Sequence, residues 1–525
     1  MNLRPRILLA TDRVLATALV VLVLGSAVCF GGAVWWFRPA AAFMAFLLAG
    51  TMLVRLMVTG RSSFLKSPLT LLGLMVLAVG MLQLVPLPSR LARRISPTAQ
   101  QIYSHGVWPK RVQADDSSAV VGEPAQVRSP SSLDRSATLR WLVGAAGCLG
   151  IFWVVSHFTD RLRRLYLVWG SVVAAFLLNG ALGLVQVAGQ SEGLFGCILP
   201  GRAAWWTPSL DNLLEAPTTT SLRRLGDSTT TTSVNTTLER IALVPNRPFL
   251  FGTMMGGSGA FLALGSLALP LSLAIVLHVI SPRGSRESFS SRLSHTGQGS
   301  LVVLLIVMLV VCSFLVGLMA GPWYSLPFGV GLLAVGLPSL AARGSRGPAI
   351  ALTILLVASL GLGATLVATW PRIVGGQPPV APLSWESTRL LWTESLPLLK
   401  EFPVVGTGFG SFPTIHPYFK IHEASSTTAM SSLLQCAVES GVIGLGILGL
   451  AGLWSVCRLP FCLKRVGSAD RTLAYGLLGA ALGFSLWFVV HWTIELPAVA
   501  ISVSALGGTW NRWLAGGTDL FVERG

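Results

Sequence analysis

The chain has 525 residues, of which 52% are hydrophobic and only 11% charged, and its mean hydropathy is +0.69. A soluble domain carries about 25% charged residues, and the apolar residues here stand in long blocks rather than at amphipathic spacing, which excludes a soluble enzyme. The net charge of +17 does not point to nucleic acid, because the arginines sit at block ends and between blocks instead of along one face.

Met1–Arg13 is basic and precedes LATALVVLVLGSAVCFGGAVWW (Leu15–Trp36). That run is too long for an ordinary signal-peptide core and lacks a small-x-small exit, so it reads as an uncleaved signal anchor. Further blocks give spans near residues 14–36, 39–58, 67–87, 138–157, 165–188, 258–280, 300–320, 324–341, 348–370, 433–457, 473–491 and 496–514. A crossing needs about 20 apolar residues, and backbone with no water to bond must be helical. The expected fold is therefore an all-α polytopic membrane protein of about 12 transmembrane helices.

Charge sets the expected orientation. With the N-terminus cytoplasmic, the short inside connections carry Arg61 and Lys66; Arg161, Arg163 and Arg164; Arg283, Arg286 and Arg292; Arg343 and Arg346; and Lys464, Arg465 and Arg471. The short outside links at 321–323 and 492–495 contain no Lys or Arg, as the positive-inside rule requires. Both termini are then cytoplasmic.

Three long segments fall outside: 88–137, 189–257 and 371–432. The second contains PTTTSLRRLGDSTTTTSVNTTLER, a Ser/Thr-rich tract expected to be a mobile insertion. The third is rich in Trp, Phe, Pro and Gly and reads as a folded, partly helical periplasmic cap. The chain thus divides into membrane regions 1–137, 138–370 and 433–525, with the cap at 371–432. Of seven cysteines only Cys197 lies well inside a long loop, and no zinc-ligand spacing is present, so neither a disulfide framework nor a metal is expected.

No soluble-enzyme motif is present. GTGFGSF (Gly406–Phe412) has the look of a glycine-rich phosphate loop, but it follows Pro403 rather than a strand. The informative charges on the outer side are Arg247, Glu386, Arg389, Glu394, Lys400, His416, His422, Glu423, Glu439, His491 and Glu495. Trp385, Leu390, Trp392 and Leu396 mark a short amphipathic helix that carries Arg389 at headgroup depth. Arg389 is either an interfacial anchor or a cation for the phosphate of a lipid-linked substrate. His491 and Glu495, four apart at a helix end, share one face; they are either a functional pair or a helix terminus facing water. Glu439 in ESGVIG is expected to start a helix, where a carboxylate suits the N-terminal dipole.

The order of six segments resembles the O-antigen ligase and polymerase family, whose members are membrane glycosyltransferases that use polyprenyl-diphosphate-linked glycans. The segments are LQLVPLPSRLARRISP (Leu82–Pro97), NGALGLVQVAG (Asn179–Gly189), NRPFLFGTM (Asn246–Met254), TRLLWTESLPLLKEFPVVGTGFGSF (Thr388–Phe412), LLQCAVESGVIG (Leu433–Gly444) and HWTIELPA (His491–Ala498). The resemblance implies glycan transfer on the periplasmic face of a bacterial inner membrane, without cofactor or metal. The donor would be an undecaprenyl-diphosphate-linked glycan; the acceptor would be a hydroxyl of lipid A–core, another glycan or a protein. By motif position Arg247 and Arg389 would hold the diphosphate leaving group. The family's base is a His in a His-Asn pair before the Leu-Gln segment. Here Met430 and Ser431 stand in its place, and GGSG (Gly256–Gly259) replaces the usual Asn-Pro-Asn. His416 or His422, with Glu423 beside it, is then the candidate base. Glu394, Glu439, His491 and Glu495 are further site candidates. Two other readings stay open: a lipid-linked glycan flippase, and a silent family member acting as an envelope-assembly scaffold.

Overall fold

The structure, a computed structural model, describes residues 3–29, 36–60, 67–105, 130–188, 250–251, 254–255, 257–280, 299–340, 346–373, 385–419, 428–467, 471–491, 494 and 496–515. The first part of the chain gives α1 (Leu3–Val28), α2 (Phe37–Thr59), α3 (Pro68–Leu84), α4 (Ser89–Ile95), α5 (Pro97–His105), α6 (Arg135–Phe158) and α7 (Leu162–Ala188). A two-residue antiparallel pair, β1 (Leu250–Phe251) with β2 (Met254–Met255), stands just before α8 (Gly257–Ile280). Then come α9 (Gly299–Tyr324), α10 (Leu326–Leu340), α11 (Arg346–Ile373), α12 (Trp385–Glu401) and α13 (Phe412–Phe419). The chain closes with α14 (Ser432–Arg465), α15 (Arg471–Val490) and α16 (Pro497–Leu514).

Among the described residues, nine helices are long and apolar enough to cross a membrane: α1, α2, α6, α7, α8, α9, α11, α14 and α15. The other three expected spans are also helices, but α3 has 17 residues and α10 only 15. At 1.5 Å per residue the latter reaches about 22 Å, short of a hydrocarbon core of about 30 Å. The third, α16, is 18 residues long and carries Asn511 and Arg512 in its last turn. Most of the 189–257 segment, with Cys197, lies outside the described residues.

Local chemistry sets several helix ends. Ser67 caps α3 by accepting from the Leu69 N–H at 3.3 Å, with Pro68 at the first helical position. Asp134 caps α6 through the Ala137 N–H at 2.9 Å, and Ser431 caps α14 through that of Leu434 at 3.2 Å. At the centre, α8 is apolar on all sides and enclosed along nearly its whole length, as a helix without a polar face must be. α9 and α11 approach backbone to backbone. A Cβ on Gly317 would lie 2.1 Å from the Leu360 carbonyl oxygen, and one on Gly363 would lie 2.3 Å from that of Phe314. Between apolar helices, small residues of this kind are what permit dispersion contact. Outward, large apolar side chains such as Met57, Leu71 and Val456 are exposed, as a hydrocarbon-facing surface allows.

Two features orient the bundle. At one face, Asp12 of α1, Arg55 of α2, and Asp160 and Arg164 at the α6–α7 turn form a closed ring of alternating charge. Arg55 Nε lies 2.7 Å and Arg164 Nη2 2.5 Å from Asp12; Arg55 also reaches Asp160 at 3.6 Å, and Arg164 pairs with Asp160. The ring places the start of α1, the end of α2 and the α6–α7 turn on a single side. α1 also contributes Leu15, Leu19, Leu22 and Val23 to the main core, so it is a structural member of the bundle. On the opposite side a second, smaller apolar cluster forms from Ala99, Ile102, Leu398, Phe402, Phe412, Ile415, Ala429 and Val438. It joins α5, α12, α13 and the first turns of α14 into a layer over the bundle.

Candidate functional site

The layer opposite the charge ring holds Arg389, Glu394, His416 and Glu439, and His491 docks beneath it at the start of α14; these are the sequence-derived site candidates whose side chains are described. Arg247, His422, Glu423 and Glu495 lie outside the described residues.

The geometry there begins with a break in α14. Gly441 has φ 62° and ψ −160°, so the helical hydrogen-bond ladder stops and restarts around it. The orphaned groups are taken up by the 403–408 loop. Val442 and Ile443 donate to the carbonyls of Pro403 and Val404 at 2.8 and 3.3 Å; Thr407 and Gly408 donate to those of Val438 and Glu439 at 2.9 and 3.1 Å. The approach is close: a Cβ on Gly441 would sit 2.4 Å from the Val404 carbonyl oxygen, and one on Gly406 only 2.3 Å from the Glu439 carbonyl carbon. Glycine is required at both positions by contact as well as by positive φ.

The buried Glu439 carboxylate completes this splice. It accepts from the backbone N–H of Gly410 at 2.8 Å and of Phe412 at 3.2 Å, and from the Gln435 side-chain amide at 3.2 Å. The run GTGFGSF is therefore a nest of backbone N–H groups whose anion is the protein's own carboxylate. The expectation that Glu439 starts a helix is corrected: α14 begins at Ser432, and Glu439 lies before its internal break. Gln83, at the end of α3, bonds the same loop. Its amide donates to the carbonyls of Val405 and Glu439 at 2.7 and 2.9 Å, and its oxygen accepts from the Phe409 N–H at 3.1 Å. Sequence reasoning missed Gln83; the available signal was a lone amide in an apolar helix, which is costly without partners.

α12 is amphipathic as expected, but its buried face is rotated. Thr388, Leu391, Glu394, Ser395 and Leu398 are buried, whereas Leu396 is exposed and Leu390 and Trp392 are only half-buried. The polar groups on that face have internal partners. Glu394 lies 3.5 Å from His416 Nε2, both side chains being fully enclosed, and His416 stacks on Phe412 with ring centroids 5.0 Å apart. A base role for His416 requires this layer to open. Arg389 and Lys400 are exposed on the stripe that also carries Leu396.

His491 lies at the end of α15 rather than within a helix. α15 stops at Val490, and Glu495, expected to share a face with His491, lies outside the described residues. The ring stacks on Trp487 at 4.9 Å and stands edge-on to Tyr324 at 6.2 Å. The Tyr324 hydroxyl bonds Thr388 Oγ1 at 2.7 Å, and Thr388 directly precedes Arg389. On the other side the ring meets Gly259 of α8, where a Cβ would lie 2.7 Å from His491 Cε1. α12 and the start of α8 thus meet around Tyr324 and His491.

At the rim, Asp134 accepts from Ala137, from Ser136 at 2.8 Å and from Thr414 of α13 at 2.8 Å. Burial by itself raises that carboxyl; these hydrogen bonds, helped by the charge of Arg140, outweigh it and hold the group below its ordinary value of 3.8. A depressed carboxyl contributes stability in full above its unfolded value and loses it as pH falls through the lower folded one. Asp134→Ala is expected to cost about 1 kcal/mol at neutral pH, the worth of a helix cap. Thermal melts in detergent should show this deficit shrinking only in strongly acidic buffer.

Among the described residues no group of three or more His, Cys, Asp or Glu side chains is placed to hold a metal ion. No family model matches the chain, and no curated protein matches it.

Proposed function

We propose that this protein transfers a glycan from a polyprenyl-diphosphate carrier to an acceptor sugar hydroxyl, in the manner of O-antigen ligases and polymerases. In this reading the chain crosses a bacterial inner membrane twelve times with both termini cytoplasmic, and the layer over the bundle is a periplasmic cap. The observation that carries the proposal is the meeting of two segments. α12, bearing Arg389, is joined through Thr388, Tyr324 and His491 to the start of α8, the helix into which the Arg247 segment leads. Breaking a sugar–phosphate bond leaves charge on the departing diphosphate, and the exposed guanidinium of Arg389 supports the reading because its paired donors suit phosphate oxygens.

The placement of polar groups favours transfer over flipping. A carrier of charged headgroups needs ionisable groups near the midplane. α8, the central helix, contains Ser266 and Ser272, whose hydroxyls bond their own helix's carbonyls at 2.8 and 2.6 Å. Its His278 lies near the charge-ring end.

The test is deletion of the gene in the producing strain, with profiling of lipid-linked oligosaccharides and of finished surface glycan. Transfer predicts accumulated donor on the outer leaflet and lost product. Donor trapped on the cytoplasmic leaflet would establish flipping instead, and unchanged levels of both would remove the protein from glycan assembly.

A further inference from the structure

We propose that the seam between α14 and α16, at its charge-ring end, binds an anionic glycerophospholipid of the adjoining leaflet, with the phosphate held by Arg458 and Arg465. This lipid site is independent of glycan transfer and requires only that the apolar bundle sits in a bilayer. Two contacts define the seam. The Trp510 indole N–H donates to Ser455 Oγ at 3.3 Å, and the Cys462 thiol donates to the Leu514 carbonyl at 3.8 Å, so the two helices run parallel here. Asn511 bonds Ser67 at the start of α3, which puts this end of the seam on the side of the charge ring. By helical spacing Trp454, Arg458 and Arg465 share one edge of α14 with Cys462, and the charges of both arginines act on that thiol.

Arg458 is the informative residue. It lies seven residues, about 10 Å, before the end of α14 at Arg465, and it is half-buried, with its Nε enclosed and without a hydrogen-bond partner. Among the described residues neither arginine forms an ion pair. Beyond Gly441, α14 contains no Asp or Glu, nor do α15 and α16. Arg55 makes the contrast: set inside α2 at the same face, it is neutralised by Asp12 and Asp160. The carbonyls that end α16 do not take the Arg458 guanidinium up, since those of Asn511 and Trp513 accept from the Ala515 N–H and that of Leu514 from Cys462. The general excess of cations at inner helix ends accounts for Lys464 and Arg465 at the terminus. It does not account for a guanidinium drawn two turns into the span, which is costly until an anion partners it.

The surroundings fit a lipid rather than a soluble anion. Beside the two arginines on α14 stand the exposed side chains of Leu450, Cys457 and Phe461, and Trp454 and Trp510 are half-buried near the same depth. Apolar side chains toward the midplane and two cations toward the face match acyl chains lying below a phosphate. Indoles settle at headgroup level, and a guanidinium fork suits two phosphate oxygens.

The experiment uses the full-length protein in detergent, stripped of lipid by prolonged washing. It is titrated with phosphatidylglycerol, with phosphatidylcholine or with inorganic phosphate, and bound species are counted by native mass spectrometry. Wild type is expected to hold phosphatidylglycerol at least ~10-fold more tightly than phosphatidylcholine, and not to retain inorganic phosphate. Arg458→Gln should weaken phosphatidylglycerol by about 10-fold or more, the scale of losing charge-assisted hydrogen bonds. Arg465→Gln should weaken it about 5-fold, the worth of one cation at a membrane surface. Arg458→Lys keeps the charge without the fork and should be intermediate. Lys464→Gln, on another face of the same terminus, should change nothing. Thermal melts establish which variants are folded. Equal affinity of wild type for the two lipids overturns the proposal without recourse to any variant. Unchanged phosphatidylglycerol binding in folded Arg458→Gln overturns it too, and if that variant does not fold, unchanged binding in Arg465→Gln does so. Equal weakening by Lys464→Gln would show diffuse attraction in place of a site, and phosphate binding as tight as lipid binding would show a site for a soluble anion; either result sinks the lipid. Glycan assays on Arg389→Ala bear on transfer alone and leave this site untouched.

Discussion

Glu439→Ala is expected to lower the unfolding free energy by about 3–5 kcal/mol, the sum of two or three charge-assisted hydrogen bonds lost from a buried site. The carboxylate is 3% exposed and holds the N–H groups of Gly410 and Phe412 together with the Gln435 amide. Truncation leaves those donors without an acceptor in a place water does not reach. The readout is thermal melting of the purified protein in detergent, with proteolysis mapped across 402–412. Glu439→Gln retains one acceptor oxygen and should fall between wild type and alanine. A melting curve for Glu439→Ala that overlays wild type would show that the loop is held by its glycines and Gln83 alone.

Arg389→Ala is expected to remove surface glycan by 100-fold or more, the scale of losing a single charge-stabilising donor from a transfer site, while the protein remains in the membrane at normal levels. The second half of that expectation follows from burial: Arg389 is exposed, and α12 is held by Thr388, Leu391, Ser395 and Leu398 on its other side. Arg389→Lys keeps the charge but loses the planar fork that matches phosphate oxygens, so it should be intermediate. Lys400→Ala, at the far end of the same exposed stripe, should have little effect. Glycan assays on complemented deletion strains, normalised to protein in the membrane fraction, separate the cases. Full complementation by Arg389→Ala would favour the scaffold reading.

The helices were legible because they are set by what is local: an apolar run of about twenty residues has few other options in hydrocarbon. The amphipathic helix around Arg389 was legible for the same reason. Its rotation was not, since the buried polar residues Thr388, Glu394 and Ser395 gain their partners from Tyr324, from His416 and from their own helix, and a hydropathy stripe counts such residues as exposed. Glu439 was misplaced because its ligands, Gly410 and Phe412, are distant in sequence and reach it only through the break at Gly441. The charge ring escaped notice because the positive-inside rule counts cations in loops, whereas Arg55 lies within a helix and its anions, Asp12 and Asp160, come from elsewhere. His491 was marked as a titratable group at a membrane edge; its neighbours Gly259 and Tyr324 belong to helices far away in the chain.

The splice at Gly441 also fixes length. Four backbone hydrogen bonds tie residues 403, 404, 407 and 408 one by one to residues 442, 443, 438 and 439, so the loop is in register with the helix as a strand is with its neighbour. A residue inserted or removed between 403 and 408 would shift half of those pairs and strand their partners in the broken turn. These two stretches can change length only together.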